Sequence, residues 1–429
     1  MASVSPLPHG PGSPTLLAAD GARASEQVPD AVPARARWLT EVGALWPGSV
    51  LVAVALAVVP SWGAAFAAPK IALLVAGAAV SMMLALVSRR PAAHMAGVLG
   101  VAAAVLAASL VGDAVVARAV MLQLAGAGLL VAWTAAGVDV RRTLPLAVGA
   151  GTIVAGVAAA QALGLDPLVA FGPIVGGSRL RVYGTLGNPD FVAAFIVPTL
   201  ALAVTLEPRR PAWRAILLAA VVVQVAALAA ARSLATLPSL AVAAIVLMVH
   251  ARMHGRRATW AAPTLVAAAL VAAALLAGRD GGRALQGRLY LWTVAAPHVA
   301  AAPLFGHGPG AVEVSWPTWE AAAWSSGRVA GSAQAFAARQ DHLHSDYLER
   351  AVEQGAAGVI ALVVLLIVVL RRALRAPGSS AAGVAAALAS LAVRSFVDFP
   401  LARPAELCLF ALLCATALSL PLTPPEEQS

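Results

Sequence analysis

The chain has 429 residues, 60% of them hydrophobic and 11% charged, with 29 Lys and Arg against 20 Asp and Glu for a formal charge of +9. Soluble domains average about 45–50% apolar and about 25% charged residues, so this balance excludes an ordinary soluble fold and points to lipid as the solvent. The basic residues come as short pairs between apolar runs rather than as a stripe, which argues against nucleic acid and for membrane topology.

In chain order, residues 1–45 are rich in Ala, Pro, Gly and Ser and read as a disordered tail. The first apolar run begins near Trp46, too far from Met1 for a cleavable signal peptide, so the first helix reads as an uncleaved anchor. A ruler of about 20 residues places helices near 46–64, 70–88, 92–112, 115–136, 143–164, 189–206, 212–231, 234–250, 258–277, 350–370, 378–397 and 403–421. The expected fold is thus all-α and integral to the membrane. It has about twelve transmembrane helices in one domain (46–421), a large loop at 278–349 between helices nine and ten, and a short tail at 422–429. Ala and Gly crowd the runs, which fits either close helix packing in lipid or a biased coding composition. Cys408 and Cys414 share one apolar run and offer no disulfide. Sixteen of the 29 basic residues fall on one side of this plan, among them Arg89, Arg90, Arg141, Arg142, Arg371 and Arg372. That side is the cytoplasm by the positive-inside rule, which puts both termini inside and the 164–188 and 278–349 segments in the periplasm.

These two outer segments hold the candidate chemistry. In the first, Arg179 and Arg181 precede Gly184, Gly187, Asn188 and Pro189. Asn188 is expected to cap a helix that has Pro189 at its first position, with free N–H groups beside Arg181 that suit phosphate oxygens. The alternative is that both arginines reach for lipid headgroups while the glycines make a turn. The second contains Arg288 and Trp292, the turn-rich Pro303-Leu-Phe-Gly-His-Gly-Pro-Gly310, and Trp316, Trp319 and Trp324, which suit interfacial anchoring or sugar stacking. It ends in Asp341-His-Leu-His344-Ser-Asp346-Tyr347-Leu-Glu349, where His342 or His344 could take a proton from a hydroxyl with Asp341 or Asp346 orienting the ring. A metal site lacks a third ligand at a recognisable spacing, and a structural role in capping the next helix stays open.

Arg181-x-x-Gly184 with Gly187-Asn-Pro189, Arg288 ahead of Trp292, Pro303-Leu-x-Gly306-x-Gly308, His344-x-x-Tyr347-Leu with Glu353-x-Gly355, and Val397-Asp-Phe-Pro400 follow one another in a recognisable order. Together they resemble the O-antigen ligase and polymerase superfamily, from about Arg179 to the C-terminus. The resemblance implies a GT-C-like glycosyltransferase of the bacterial inner membrane. Such an enzyme moves a glycan from undecaprenyl diphosphate to a hydroxyl of lipid A core, another glycan or a protein, with no cofactor, nucleotide sugar or metal. Carried over by position, Arg181 and Arg288 hold the diphosphate and His344 activates or positions the acceptor. Arg179, Arg232, His342, Asp346 and Tyr347 contribute to substrate binding. Ser345 stands where members often carry Asn, and Ser233 follows Arg232 rather than preceding it. A transporter would show internal repeats or charges deep in the membrane, and a non-catalytic assembly protein would not need His344 together with the arginines.

Overall fold

A computed structural model describes residues 34–62, 64–88, 112, 116–171, 182–208, 210–255, 261–276, 281–329 and 331–422. The chain divides into residues 1–40, described only as the helical stretch from Ala34, and residues 41–429, to which everything below refers apart from the start of the first helix. The described residues are helical and contain no strand.

The helices are α1 (Ala34–Leu56), α2 (Ala68–Ser88), α3 (Ala117–Ala136), α4 (Val140–Ala162), α5 (Pro189–Ala203), α6 (Pro211–Ala231) and α7 (Thr236–Met253). There follow α8 (Ala261–Leu276), α9 (Gly281–Ala301), α10 (Ala311–Ser325), α11 (Asp346–Glu353), α12 (Gly355–Arg375), α13 (Ser379–Arg394) and α14 (Pro404–Ser419). Local chemistry sets several boundaries. Asn188 caps α5 by accepting from the Asp190 N–H at 2.8 Å, with Pro189 at the first position as expected. Asp139 does the same for α4, accepting from Arg141 and Arg142 at 3.0 and 3.3 Å. α1 begins at Ala34, inside the stretch expected to be disordered, because Ala, Arg, Leu and Glu are strong helix formers whether or not they face lipid. Residues 92–112, expected to form the third helix, lie outside the described residues except Gly112.

Among the described residues, six helices are long and apolar enough to cross a membrane: α2, α3, α4, α6, α7 and α12. Glu41–Leu56 and helices α5, α13 and α14 are apolar but shorter, so the count of twelve spans does not follow. The short helices α5, α13 and α14 are buried almost all round. A helix whose neighbours are protein rather than lipid has no need to match the bilayer thickness. Small residues make that packing possible. A Cβ on Gly151 would lie 2.1 Å from Thr199 Oγ1, and one on Gly383 would lie 2.1 Å from Thr205 Oγ1, so α4 presses against α5 at glycine, and α13 presses in the same way against the turn that follows α5. Close packing therefore accounts for these glycines. Cys408 and Cys414 are buried and unpaired.

The segment expected to be a long loop is mostly helix. Tyr290, Leu291, Val294 and Ala295 form an apolar stripe on α9 and pack with Val312, Trp316 and Trp319 of α10 into a second core. Arg283, Arg288 and Pro297 interrupt the run and hide its period from a search for membrane-length stretches. Trp316 is fully buried and donates to the Ala338 carbonyl at 3.0 Å, Trp319 stacks on His298, and Trp324 is half-buried against Tyr290. The three tryptophans are thus core residues rather than lipid anchors or sugar platforms.

Main-chain contacts lock this unit to the bundle. His307 and Gly308 donate to the carbonyls of Val352 and Glu353 at 2.9 Å each, while Ala356 and Ala357 donate to Pro303 and Leu304 at 2.8 and 3.1 Å. The approach requires glycine at both Gly306 and Gly355. Each has a positive φ (69° and 63°), and a Cβ on either would lie within 2.4 Å of the opposite backbone. The Pro303–Gly308 and Glu353-x-Gly355 motifs are the two halves of one backbone latch.

Candidate active site

The site is assembled where α11 begins, where α13 ends and where α14 starts. Ser345 caps α11, its hydroxyl accepting from the Leu348 N–H at 3.4 Å and donating to the Ser395 carbonyl at 3.3 Å. Asp346 is buried beneath it. Ser395 Oγ and the Leu401 N–H donate to its Oδ2 at 2.7 and 3.1 Å, and its own N–H donates to the Ser395 carbonyl at 2.9 Å. Burial pushes the Asp346 carboxyl up to about 7, against the pull of Ser395 and Arg350. Tyr347 donates to the Ala392 carbonyl at 2.9 Å and packs on Phe396, and burial pushes its phenol up to about 12. Both residues thus fasten α11 to the end of α13.

A buried charge network lies next to this clamp. Arg394 Nε donates to Asp398 Oδ2 at 2.7 Å, and its Nη2 donates to the Asp190 carbonyl at 2.8 Å and to Ser233 Oγ at 3.3 Å. Arg403 makes a two-pronged pair with Asp398 at 3.0 and 3.2 Å, and its guanidinium lies 4.1 Å over Phe191 and 5.0 Å over Phe399. Arg403 Nε and Glu406 Oε1 are 2.8 Å apart without the N–H lying along that line, which makes them an ion pair rather than a hydrogen bond. Burial works against the charge on Asp398, but Arg403 and Arg394 outweigh it and hold the carboxyl far below its usual range.

Phe399 stands between the two candidate histidines. His342 stacks on its ring with centroids 4.3 Å apart, and His344 meets its edge at 4.9 Å. His344 has a left-handed backbone (φ 51°), unusual for a residue with a side chain. Its proton affinity is lowered by burial and by the nearby charge of Arg288, against the pull of Asp398. His342 Nδ1 lies 2.8 Å from Glu349 Oε1. Burial opposes its charge, but Glu349 prevails and raises its pKa. Arg288 approaches from α9, donating from Nε to the Val397 carbonyl at 2.8 Å and from Nη1 to Ala284 at 3.2 Å.

On the His342 side of Phe399 lies a cavity of about 360 Å³, within the range of small-ligand sites. Its wall carries Lys70, Arg118, Arg350 and Arg403 as well as Glu313, Glu349 and Glu353. Lys70 is tied to the carbonyls of Ala55 and Ala57 at 3.0 and 2.6 Å, and Arg118 bridges to Glu313 at 2.8 Å. Burial pushes the Glu353 carboxyl up to about 8, although the N–H groups of Gly310 and Val312 at the start of α10 point at it.

The structure therefore brings Arg288, His342, His344 and Asp346 together around Val397–Phe399, with Tyr347 beside them on Ala392 and Phe396. Arg232 closes α6 in a left-handed conformation (φ 50°), next to the Ser233 that binds Arg394. Arg179 and Arg181 lie outside the described residues. Sequence reasoning did not single out Arg394, Arg403, Lys70 or Arg118, which are scattered along the chain and carry no motif of their own.

An all-helical protein with several helices able to span a membrane, carrying a cluster of arginines, histidines and carboxylates at helix ends, is a polytopic membrane protein with a chemically equipped site. Residues 191–363 match the family model described as O-antigen ligase, and over that stretch the chain is similar to the O-antigen ligase superfamily. The match covers Arg232, Arg288, both histidines and Asp346, and speaks for a glycosyltransferase-like enzyme of the ligase or polymerase type. No curated protein matches the chain.

Proposed function

We propose that the protein transfers a glycan from undecaprenyl diphosphate to an acceptor hydroxyl at the periplasmic face of the bacterial inner membrane, without a metal. The observation that carries this reading is the convergence of Arg288, His342 and His344 on the Val397–Phe399 turn, all three side chains coming from within the matched family region. In the reaction the acceptor oxygen attacks the anomeric carbon. The bond from that carbon to the diphosphate breaks, and the diphosphate leaves with the electron pair. A departing diphosphate needs positive charge more than a proton, which is the task of Arg288 and Arg181, with Arg179 and Arg232 in support. His344 positions the acceptor hydroxyl. The acceptor is the hydroxyl of lipid A core in a ligase, or of a second glycan in a polymerase.

Purified protein in EDTA, given undecaprenyl-diphosphate-linked oligosaccharide with lipid A core or a second glycan, is expected to transfer the glycan. Arg181→Ala, Arg288→Ala and His344→Ala should each lose at least about 100-fold in rate while inserting normally. Normal transfer by all three would remove the site, and dependence on added metal would remove the mechanism.

A further inference from the structure

We infer that His342, oriented by Glu349, is the group that takes the proton from the acceptor hydroxyl; the inference rests on the glycosyl-transfer reading above. Glu349 holds the ring from one side only. Its Oε1 meets His342 Nδ1 at 2.8 Å, and its Oε2 accepts from the Leu343 N–H at 3.0 Å, so the carboxylate is gripped by the turn it orients. An ionised carboxylate only accepts hydrogen bonds, so the imidazole proton sits on Nδ1 and the lone pair on Nε2. Phe399 fixes the ring plane by stacking. His342 is part of the cavity wall, whereas His344 is not among the residues that form it.

The two histidines are also unequal as bases. His344 sits near Arg288, whose charge works against a second positive charge beside it. Around His342, Glu349 and Glu353 from α11 favour the imidazolium, and Arg118 from α3 opposes it. His344 and Arg403 face the other parts of the same Phe399 ring. The division of labour follows. As the acceptor oxygen bonds to the anomeric carbon, its proton moves to His342 Nε2, and the electron pair of the broken carbon–oxygen bond leaves with the diphosphate. The imidazolium then releases its proton to water in the cavity. His342 is the catalytic residue and Glu349 its positioning residue.

The test is kcat against pH for wild type, His342→Gln, His344→Gln and Glu349→Gln, with undecaprenyl-diphosphate-linked oligosaccharide and the acceptor that the wild type uses. The wild type is expected to lose activity on the acid side as His342 protonates. Removing the Glu349 charge should move that limb to lower pH and reduce the plateau by about 10-fold, a change that loosened packing would not produce. His342→Gln should abolish the limb and lower kcat by about 100-fold or more, with the donor KM within about 3-fold. If His342→Gln fails to fold, the Glu349→Gln profile decides alone. An unmoved limb in Glu349→Gln, or a limb lost in His344→Gln and kept in His342→Gln, would overturn the inference. No transfer by wild type to any acceptor would instead overturn the underlying reading.

Discussion

Asp398 is the residue on which the charge network depends, because it compensates both Arg394 and Arg403. Removing one partner of a buried pair strands the others, typically at about 3–5 kcal/mol. Asp398→Asn should therefore lower the melting temperature in detergent by several degrees or prevent accumulation, and an unchanged melt would show that the arginines find other partners. Asp346 acts in the opposite sense. Its folded carboxyl, pushed up to about 7, holds a proton that the unfolded chain has already lost, so folding stability falls as pH rises from about 4 to about 7 and levels off above. The difference of about three pKa units corresponds to about 4 kcal/mol. Asp346→Asn keeps an acceptor for Ser395 without that cost. Its melting temperature should gain on the wild type between pH 5 and 8; parallel curves would contradict this account.

At the scale of elements, capping explains the Ser found where the resembling superfamily often has Asn. Ser345 replaces the Asn common in the resembling superfamily and caps α11, and Ser and Asn are nearly equivalent as caps. Ser345→Asn should leave the melting temperature nearly unchanged, while Ser345→Ala should cost about 1 kcal/mol. Equal losses in both would show that the bond to Ser395 matters more than the cap. The start of α5 was legible for the same reason, since Asn188-Pro189 states its geometry in two residues. α9 was not. Its core-facing stripe is four residues wide and surrounded by Arg and Gly, and it becomes apolar only relative to α10, a partner that no local pattern announces.

For the whole molecule, the apolar runs revealed an all-helical membrane protein, and the short ordered motifs led to the helix ends that meet at Phe399. The length of each helix was less visible, because a bilayer ruler presumes a lipid neighbour and α5, α13 and α14 have protein neighbours. The cavity wall was less visible still. Lys70, Arg118 and Arg403 come from distant parts of the chain and become neighbours only through packing. The turn-rich glycines of Pro303–Gly308 serve a latch: main-chain hydrogen bonds run both ways across Gly306 and Gly355.

A joint closed at the backbone on both sides is a poor place for a door. Segments 303–308 and 352–357 must travel together, so large substrates cannot gain entry by prying them apart. The Arg118–Glu313 pair, where α3 meets α10, is a softer part of the cavity wall. Those side chains are 47% and 24% exposed, and a bridge that shares its partners with water can be exchanged for a sugar hydroxyl or a phosphate oxygen at little expense.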